Sequence, residues 1–158
     1  MSAPSMPSTR IAVLGAGANG AGIGADLARA GLDVTLIEQW PAHVEAIRRK
    51  GLRVVTPDRE TVTRIPTLHL CDVATLREPF DIVLMLMKAY DAGWAARLIE
   101  PHLAPDGLLI GVQNGMTAAT IAEVVGTHRT LGCVIEVSSE MDEPGVVMRH
   151  TPAERPWF

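Results

Sequence analysis

The sequence predicts an α/β fold built on a doubly wound, mostly parallel sheet, and three features of its 158 residues carry that expectation. Continuously apolar runs at residues 11–14 and 82–87 read as parallel strands buried on both faces, because such strands show no alternation between core and solvent. Helix-like stretches separate runs of this kind in a βαβ rhythm, as crossover connections require. The third feature is local: the first run ends in Gly15-Ala-Gly17-Ala-Asn-Gly20, and the second, at 34–37, ends at Glu38. Together these define a Rossmann-like arrangement.

The elements follow in order. After strand 11–14, the helix at 21–30 carries Ile23 and Leu27 one turn apart and stops at Gly31, a residue suited to the left-handed position past a helix end. Strand 34–37 comes next. Pro41 sits where a first helical turn tolerates proline, Val44 and Ile47 form an apolar stripe, and Arg48-Arg49-Lys50-Gly51 supplies cations and a stop, so a second crossover helix is expected. Residues 52–55 and 60–65 read as an antiparallel detour whose threonine-rich alternation suits a partly exposed edge. Strand 82–87 leads to a helix at about 91–100, with Asp91 as N-cap and Pro101 closing it. Pro105-Asp106-Gly107 reads as a turn before strand 108–112, which ends at Gln113-Asn114-Gly115. A helix at about 117–125 stops at Gly126, and strand 131–137 follows. Ser138-Ser139-Glu140 reads as a loop, and Pro144-Gly145 turns the chain into a last strand at 146–148.

Composition narrows the function. One domain is expected at this length, able to withdraw roughly two-thirds of its unfolded surface from water. With 47% hydrophobic residues, 20% charged residues and a net charge of −4, the chain offers no basic footprint for nucleic acid or anionic lipid. Cys71 and Cys133 are isolated thiols, which suits a reducing cytoplasm better than a disulfide scaffold. Residues 1–9 lack the basic-then-apolar order of a signal peptide and are expected to form a disordered tail, leaving 10–158 as a dinucleotide-binding domain. The run at 82–87 falls far short of the roughly 18 to 20 residues of a membrane span. The histidines show no HxxxH spacing and no grouping with the cysteines, and no GxSxG elbow occurs, so neither a metal site nor a serine hydrolase is expected.

The glycine pattern points to a phosphate cradle. Gly15 serves the tight turn, Gly17 lets the backbone approach a pyrophosphate, Gly20 permits close helix packing, and Ala18 and Asn19 lie in the same loop. The helix that follows aims its amides and dipole at the phosphates. Glu38, 23 residues beyond Gly15, is placed to accept the ribose hydroxyls of the adenosine half and to repel a 2′-phosphate, which favours NADH over NADPH. The alternative is a solvated loop charge, with Arg48 or Arg49 folding back onto a phosphate. Trp40, just past it, packs either on adenine or in an interface or the core. Strands of an open parallel sheet end on one crest, so Lys88 and Asn114 share a rim with the glycines. Lys88 is a partner for cofactor phosphate or a strand-end lysine reaching water. Asn114 hydrogen-bonds the carboxamide or substrate, or else opens an Asn-Gly turn whose residues tolerate positive φ.

Three segments in this order and spacing, the glycine loop, Met87-Lys-Ala-Tyr-Asp91 and Val112-Gln-Asn-Gly-Met116, resemble the N-terminal domain of ketopantoate reductases (2-dehydropantoate 2-reductases). The resemblance runs from Arg10 to the end, and Pro144-Gly145-Val146 is similar to that family's turn into its last N-domain strand. It implies NAD(P)H-dependent reduction of a 2-oxoacid, ketopantoate to pantoate in pantothenate and coenzyme A synthesis. Lys88 would then touch the cofactor, and Asn114 would stand beside nicotinamide and substrate. Many members carry arginine where Glu38 stands, so the resemblance favours NADPH where the carboxylate favours NADH. It also implies that a general-acid lysine and a substrate-binding glutamate belong to a helical C-terminal domain, which this chain is expected to lack. The expected partners are a small 2-oxoacid and either that missing domain or a second copy of the chain. A non-catalytic dinucleotide-binding module and a reductase of another branched 2-oxoacid are the competing readings.

Overall fold

The computed structural model describes residues 9–152 and 155, so the tail expected over 1–9 lies, apart from Thr9, outside the described residues, as do 153, 154 and 156–158 of the expected domain. β1 (Arg10–Leu14) leads to α1 (Ala18–Arg29), β2 (Asp33–Glu38) and α2 (Pro41–Lys50). β3 (Leu52–Val55), β4 (Glu60–Thr63) and β5 (Thr67–His69) precede β6 (Phe80–Met85) and α3 (Ala92–Ile99). The chain continues through β7 (Leu103–Val112), α4 (Ala118–Val125), β8 (Thr130–Cys133), β9 (Ser139–Glu143) and β10 (Val146–Arg149). Six strands form one sheet in the order β5-β2-β1-β6-β7-β8, and every neighbouring pair in it is parallel. The chain winds outward from β1 to β5 and then returns to the other side of β1, so the order reverses between β1 and β6. Loops diverge at such a reversal and leave a crevice above the strand ends.

Alternate residues of β1 serve two cores. Ala12 and Leu14 pack with Val83, Met85 and Leu109 under Ala95, Ile99 and Ile121 of α3 and α4. Ile11 and Val13 pack with Leu36 against Ala21 and Ala25 of α1 and Ile47 of α2. Each buried Leu or Ile contributes about 1.5–3 kcal/mol, so this double burial makes the central strands the rigid base on which the crest loops stand.

The detour after α2 is antiparallel, Leu52 facing Thr63 and Val55 facing Glu60, but it does not edge the parallel sheet. It belongs to a second sheet of four strands, β4-β3-β10-β9, which packs on α1 through Leu52, Val54 and Val147. The strands depart from the sequence expectation at several points. The expected loop at Ser138–Glu140 is instead the entry to β9, which pairs antiparallel with β10. The strand expected over 131–137 stops at Cys133, because the backbone of Ile135 is bound by the Asn114 side chain. Pro105-Asp106-Gly107 is a bulge inside β7, not a turn before it: Phe80 faces Leu103 while Ile82 faces Leu108. Proline donates nothing to a ladder, and a bulge accommodates it. β6 begins at Phe80 and ends at Met85, two residues earlier than expected. Asp91 does not cap α3 with its side chain; its carboxylate accepts the Trp94 indole N–H at 2.7 Å. β5, a strand of three residues, is too short to show a period in the sequence.

Candidate dinucleotide-binding site

The loop between β1 and α1 is shaped by its glycines. Gly15 has φ of +93°, and a Cβ on it would lie 2.7 Å from Met87 Cγ. Its N–H and that of Ala16 both donate to the Ile37 carbonyl, at 2.9 and 3.3 Å, which ties the turn to the end of β2. A Cβ on Gly20 would sit on the Gly15 carbonyl oxygen, so glycine is what lets α1 start at Ala18, earlier than the sequence suggested. Gly17 differs, because a Cβ there would meet nothing within 4 Å. It occupies the N-cap of α1, and no side chain caps that end. The amides of Ala18, Asn19 and Gly20 therefore lack intrahelical acceptors and give the helix start a positive character that suits a phosphate. Asn19 adds a buried Oδ1 without a partner.

Glu38 ends β2 and is only 7% exposed. Its Oε1 accepts the backbone N–H groups of Gln39 and Trp40, at 2.8 and 3.0 Å, so it is an anchored carboxylate and not a solvated loop charge. Arg48 does not fold back towards it. That guanidinium is held by Asp72 at 2.7 Å, the Thr67 carbonyl at 2.8 Å and Glu45 at 3.2 Å. His43, in the first turn of α2, is fully buried, with Nε2 3.0 Å from the Ala16 carbonyl and Nδ1 2.9 Å from the Gly145 N–H. Because the amide of Gly145 can only donate, Nδ1 is the bare nitrogen and Nε2 carries the proton. Burial holds the pKa of His43 below its ordinary 6.5, against the field of Glu38 and the bond to Ala16. Trp40 stacks on this ring at 6.0 Å between centroids, which gives the indole an intramolecular partner.

On the other side of the crest, Lys88 follows β6 and is exposed. Gln113, to which the sequence pattern assigns no role, is buried and donates its Nε2–H to the Met87 carbonyl at 2.6 Å, fixing the residue before Lys88. Asn114 reaches the opposite way. Its Nδ2 donates to the Ile135 carbonyl and its Oδ1 accepts the Ile135 N–H, both at 2.9 Å, in imitation of a strand pair. Neither Asn114 nor Gly115 has positive φ, so the left-handed Asn-Gly turn does not form. One amide hydrogen and one lone pair of Asn114 stay available.

These groups line one groove in two parts. The first, about 440 Å³, is bordered by Gly15, Gly17, Ala18, Asn19, Gly20, Glu38 and Lys88. The second, about 390 Å³, continues past Asn19 and Lys88 to Gln113, Asn114 and Ile135. All the residues that the sequence singled out thus meet on one crest. Tyr90 and Ser139 also line the first part, and Ser139 gave no signal because its strand did not. The uncapped helix start facing open space fits a pyrophosphate, and the anchored carboxylate at one end fits a ribose diol. Among the described residues, no group of three or more His, Cys, Asp or Glu is placed to hold a metal ion, and no helix is long and apolar enough to cross a membrane.

The model of the ketopantoate reductase PanE/ApbA family matches residues 11–157. The chain belongs to this family. A 2-dehydropantoate 2-reductase of Halobacterium salinarum is 34% identical over 143 residues, a match that covers 89% of this chain and 46% of the relative. The crystal structure of a PanE/ApbA family ketopantoate reductase from Ralstonia eutropha JMP134 aligns with a TM-score of 0.79 at 33% identity, over 90% of this chain and 46% of that one. The fold reaches beyond ketopantoate reductases: a D-mandelate dehydrogenase solved with NADH and anilino(oxo)acetate aligns with a TM-score of 0.82 at 24% identity, covering 90% of this chain and 46% of that one. This family member spans about half the length of the relatives it matches, 46% in the Halobacterium case.

Proposed function

We propose that this chain is the cofactor-binding half of an NAD(P)H-dependent 2-oxoacid reductase of the ketopantoate-to-pantoate type. The observation that supports this reading is the continuous groove from Glu38 to Asn114, with the uncapped start of α1 at its middle. The amides of residues 17–20 take the pyrophosphate, Glu38 takes the adenosine ribose hydroxyls, and Lys88 sets a positive charge beside the phosphates. Asn114 orients nicotinamide and substrate with its remaining hydrogen and lone pair. A nicotinamide held there would supply the hydride that reduces the keto carbon. Protonation of the alkoxide falls, on the family resemblance, to a lysine of a helical domain, so residues 10–158 alone bind dinucleotide and reduce ketopantoate negligibly. NADH is the preferred form, because a 2′-phosphate would meet the Glu38 carboxylate while Arg48 is committed to Asp72 and Glu45. Its two free thiols suit a reducing compartment, the cytoplasm.

The engagement of both polar ends of Asn114 by Ile135 favours a second reading, a dinucleotide-binding module without chemistry of its own. Calorimetric titration of the chain with NADH and NADPH, followed by a ketopantoate turnover assay, tests the first reading, and turnover restored by adding a helical domain of a relative would set it apart from the second. Tighter binding of NADH with negligible turnover is expected. Failure to bind either dinucleotide overturns the proposal, and steady turnover by the chain alone overturns the assignment of the acid to another domain.

A further inference from the structure

The peptide between Ala16 and Gly17 sits at the centre of the phosphate cradle, and neither residue's own side chain fixes its orientation. Gly17 has no Cβ to oppose a flip of that peptide, and the space beside it is open. The restraint comes from α2. His43 donates its Nε2–H to the Ala16 carbonyl at 3.0 Å from the buried side of the loop. A trans peptide is planar, so its N–H points opposite to its carbonyl, which turns the Gly17 amide towards the groove that Gly17 lines. The neutral ring donates there because its other nitrogen is the acceptor. Nδ1 accepts the Gly145 N–H at 2.9 Å, from a turn 102 residues away in sequence. That turn is pressed onto α2 in its own right, since a Cβ on Gly145 would lie 2.9 Å from Ala46 Cβ. One imidazole therefore joins the glycine loop, α2 and the turn between β9 and β10.

We infer, resting on the dinucleotide reading above, that His43 is a positioning residue of the pyrophosphate site: it holds the Ala16 carbonyl inward and thereby the Gly17 amide outward, while Gly145 fixes the tautomer that does so. The turn at Gly145 thus takes part in cofactor binding from outside the groove. Loss of the ring frees the Ala16–Gly17 peptide to rotate, and the phosphate then loses a preset donor. A histidine that served packing alone would change stability and leave affinity where it was.

Calorimetry with NADH on the full chain, at a temperature where each variant is folded by circular dichroism, tests this. His43→Leu is expected to bind about tenfold more weakly or worse, the equivalent of one hydrogen bond to a charged group. His43→Gln, whose amide N–H can still reach the Ala16 carbonyl, is expected to recover part of the loss. A folded His43→Leu variant with wild-type affinity overturns the inference and leaves the dinucleotide reading standing. If the wild type binds neither NADH nor NADPH, that reading fails and this inference fails with it. Should His43→Leu not fold, nitrogen NMR of the wild type decides: NADH is expected to shift the Gly17 amide, both His43 ring nitrogens and the Gly145 amide together. A Gly17 shift with the ring nitrogens unmoved overturns the coupling.

Discussion

Two backbone amides hold the Glu38 carboxylate, so its charge cannot turn away from a ligand that reaches the end of β2. Glu38→Arg is therefore expected to move the affinity ratio towards NADPH by about tenfold or more, as a like-charge contact becomes a charge-assisted pair. Titration of wild type and variant with both dinucleotides measures it, and an unchanged ratio would place the ribose elsewhere. His43 predicts a dependence of stability on pH. The folded protein keeps the ring neutral to below its ordinary 6.5, whereas the unfolded chain takes up a proton near that value. In the window between the two, the unfolded state binds more protons, so the contribution is complete above about pH 6.5 and is lost as pH falls below it. Urea midpoints at pH 7.5 and 5.5 should show a larger drop for the wild type than for His43→Gln. Equal drops would contradict a buried neutral histidine.

The elements of the glycine loop make separable predictions. Gly17→Ala adds a Cβ into open space with negative φ, so it should cost no more than about 1 kcal/mol, the loss of a favourable N-cap residue. Gly20→Ala drives a Cβ onto the Gly15 carbonyl oxygen and should cost about 2 kcal/mol or more, because α1 or the turn must shift. Thermal unfolding compares them, and a Gly20→Ala variant as stable as wild type would contradict the packing described. β1, α1, β2 and α2 were legible in the sequence because glycines, proline and buried runs mark them locally. β9 was not, since Ser-Glu-Met-Asp-Glu becomes a strand only by pairing with β10. The bulge in β7 was hidden for a related reason: Pro105 and Gly107 signal a break, and only the neighbouring strand shows that the ladder resumes. Lys88 and Asn114 could be placed on the crest from strand ends alone. Gln113 and His43 act through partners 26 and 102 residues away, which no local pattern encodes.

Across the molecule, the second sheet is held to α1 by apolar contacts and by one ion pair of unusual burial. Arg149 of β10, with its side chain 2% exposed, meets Asp26 at 2.7 Å. Removing the carboxylate leaves a guanidinium out of water with only carbonyl partners, so Asp26→Ala should destabilise the fold by about 3 kcal/mol. Urea denaturation reads that loss, and a change under about 0.5 kcal/mol, as for an ordinary surface site, would show that the pair does not secure the sheet. The same sheet carries Gly145 to His43 and Ser139 to the groove, so its attachment bears on binding as well as on stability. The central claim, that residues 15–20 cradle a dinucleotide pyrophosphate, is tested most directly by calorimetric titration of NADH into wild type and Gly17→Ala. Binding at a single site per chain is expected, weakened about tenfold or more in the variant, where a methyl group would occupy the approach of the phosphate. Equal affinity of the two proteins, or no binding by the wild type, would contradict it.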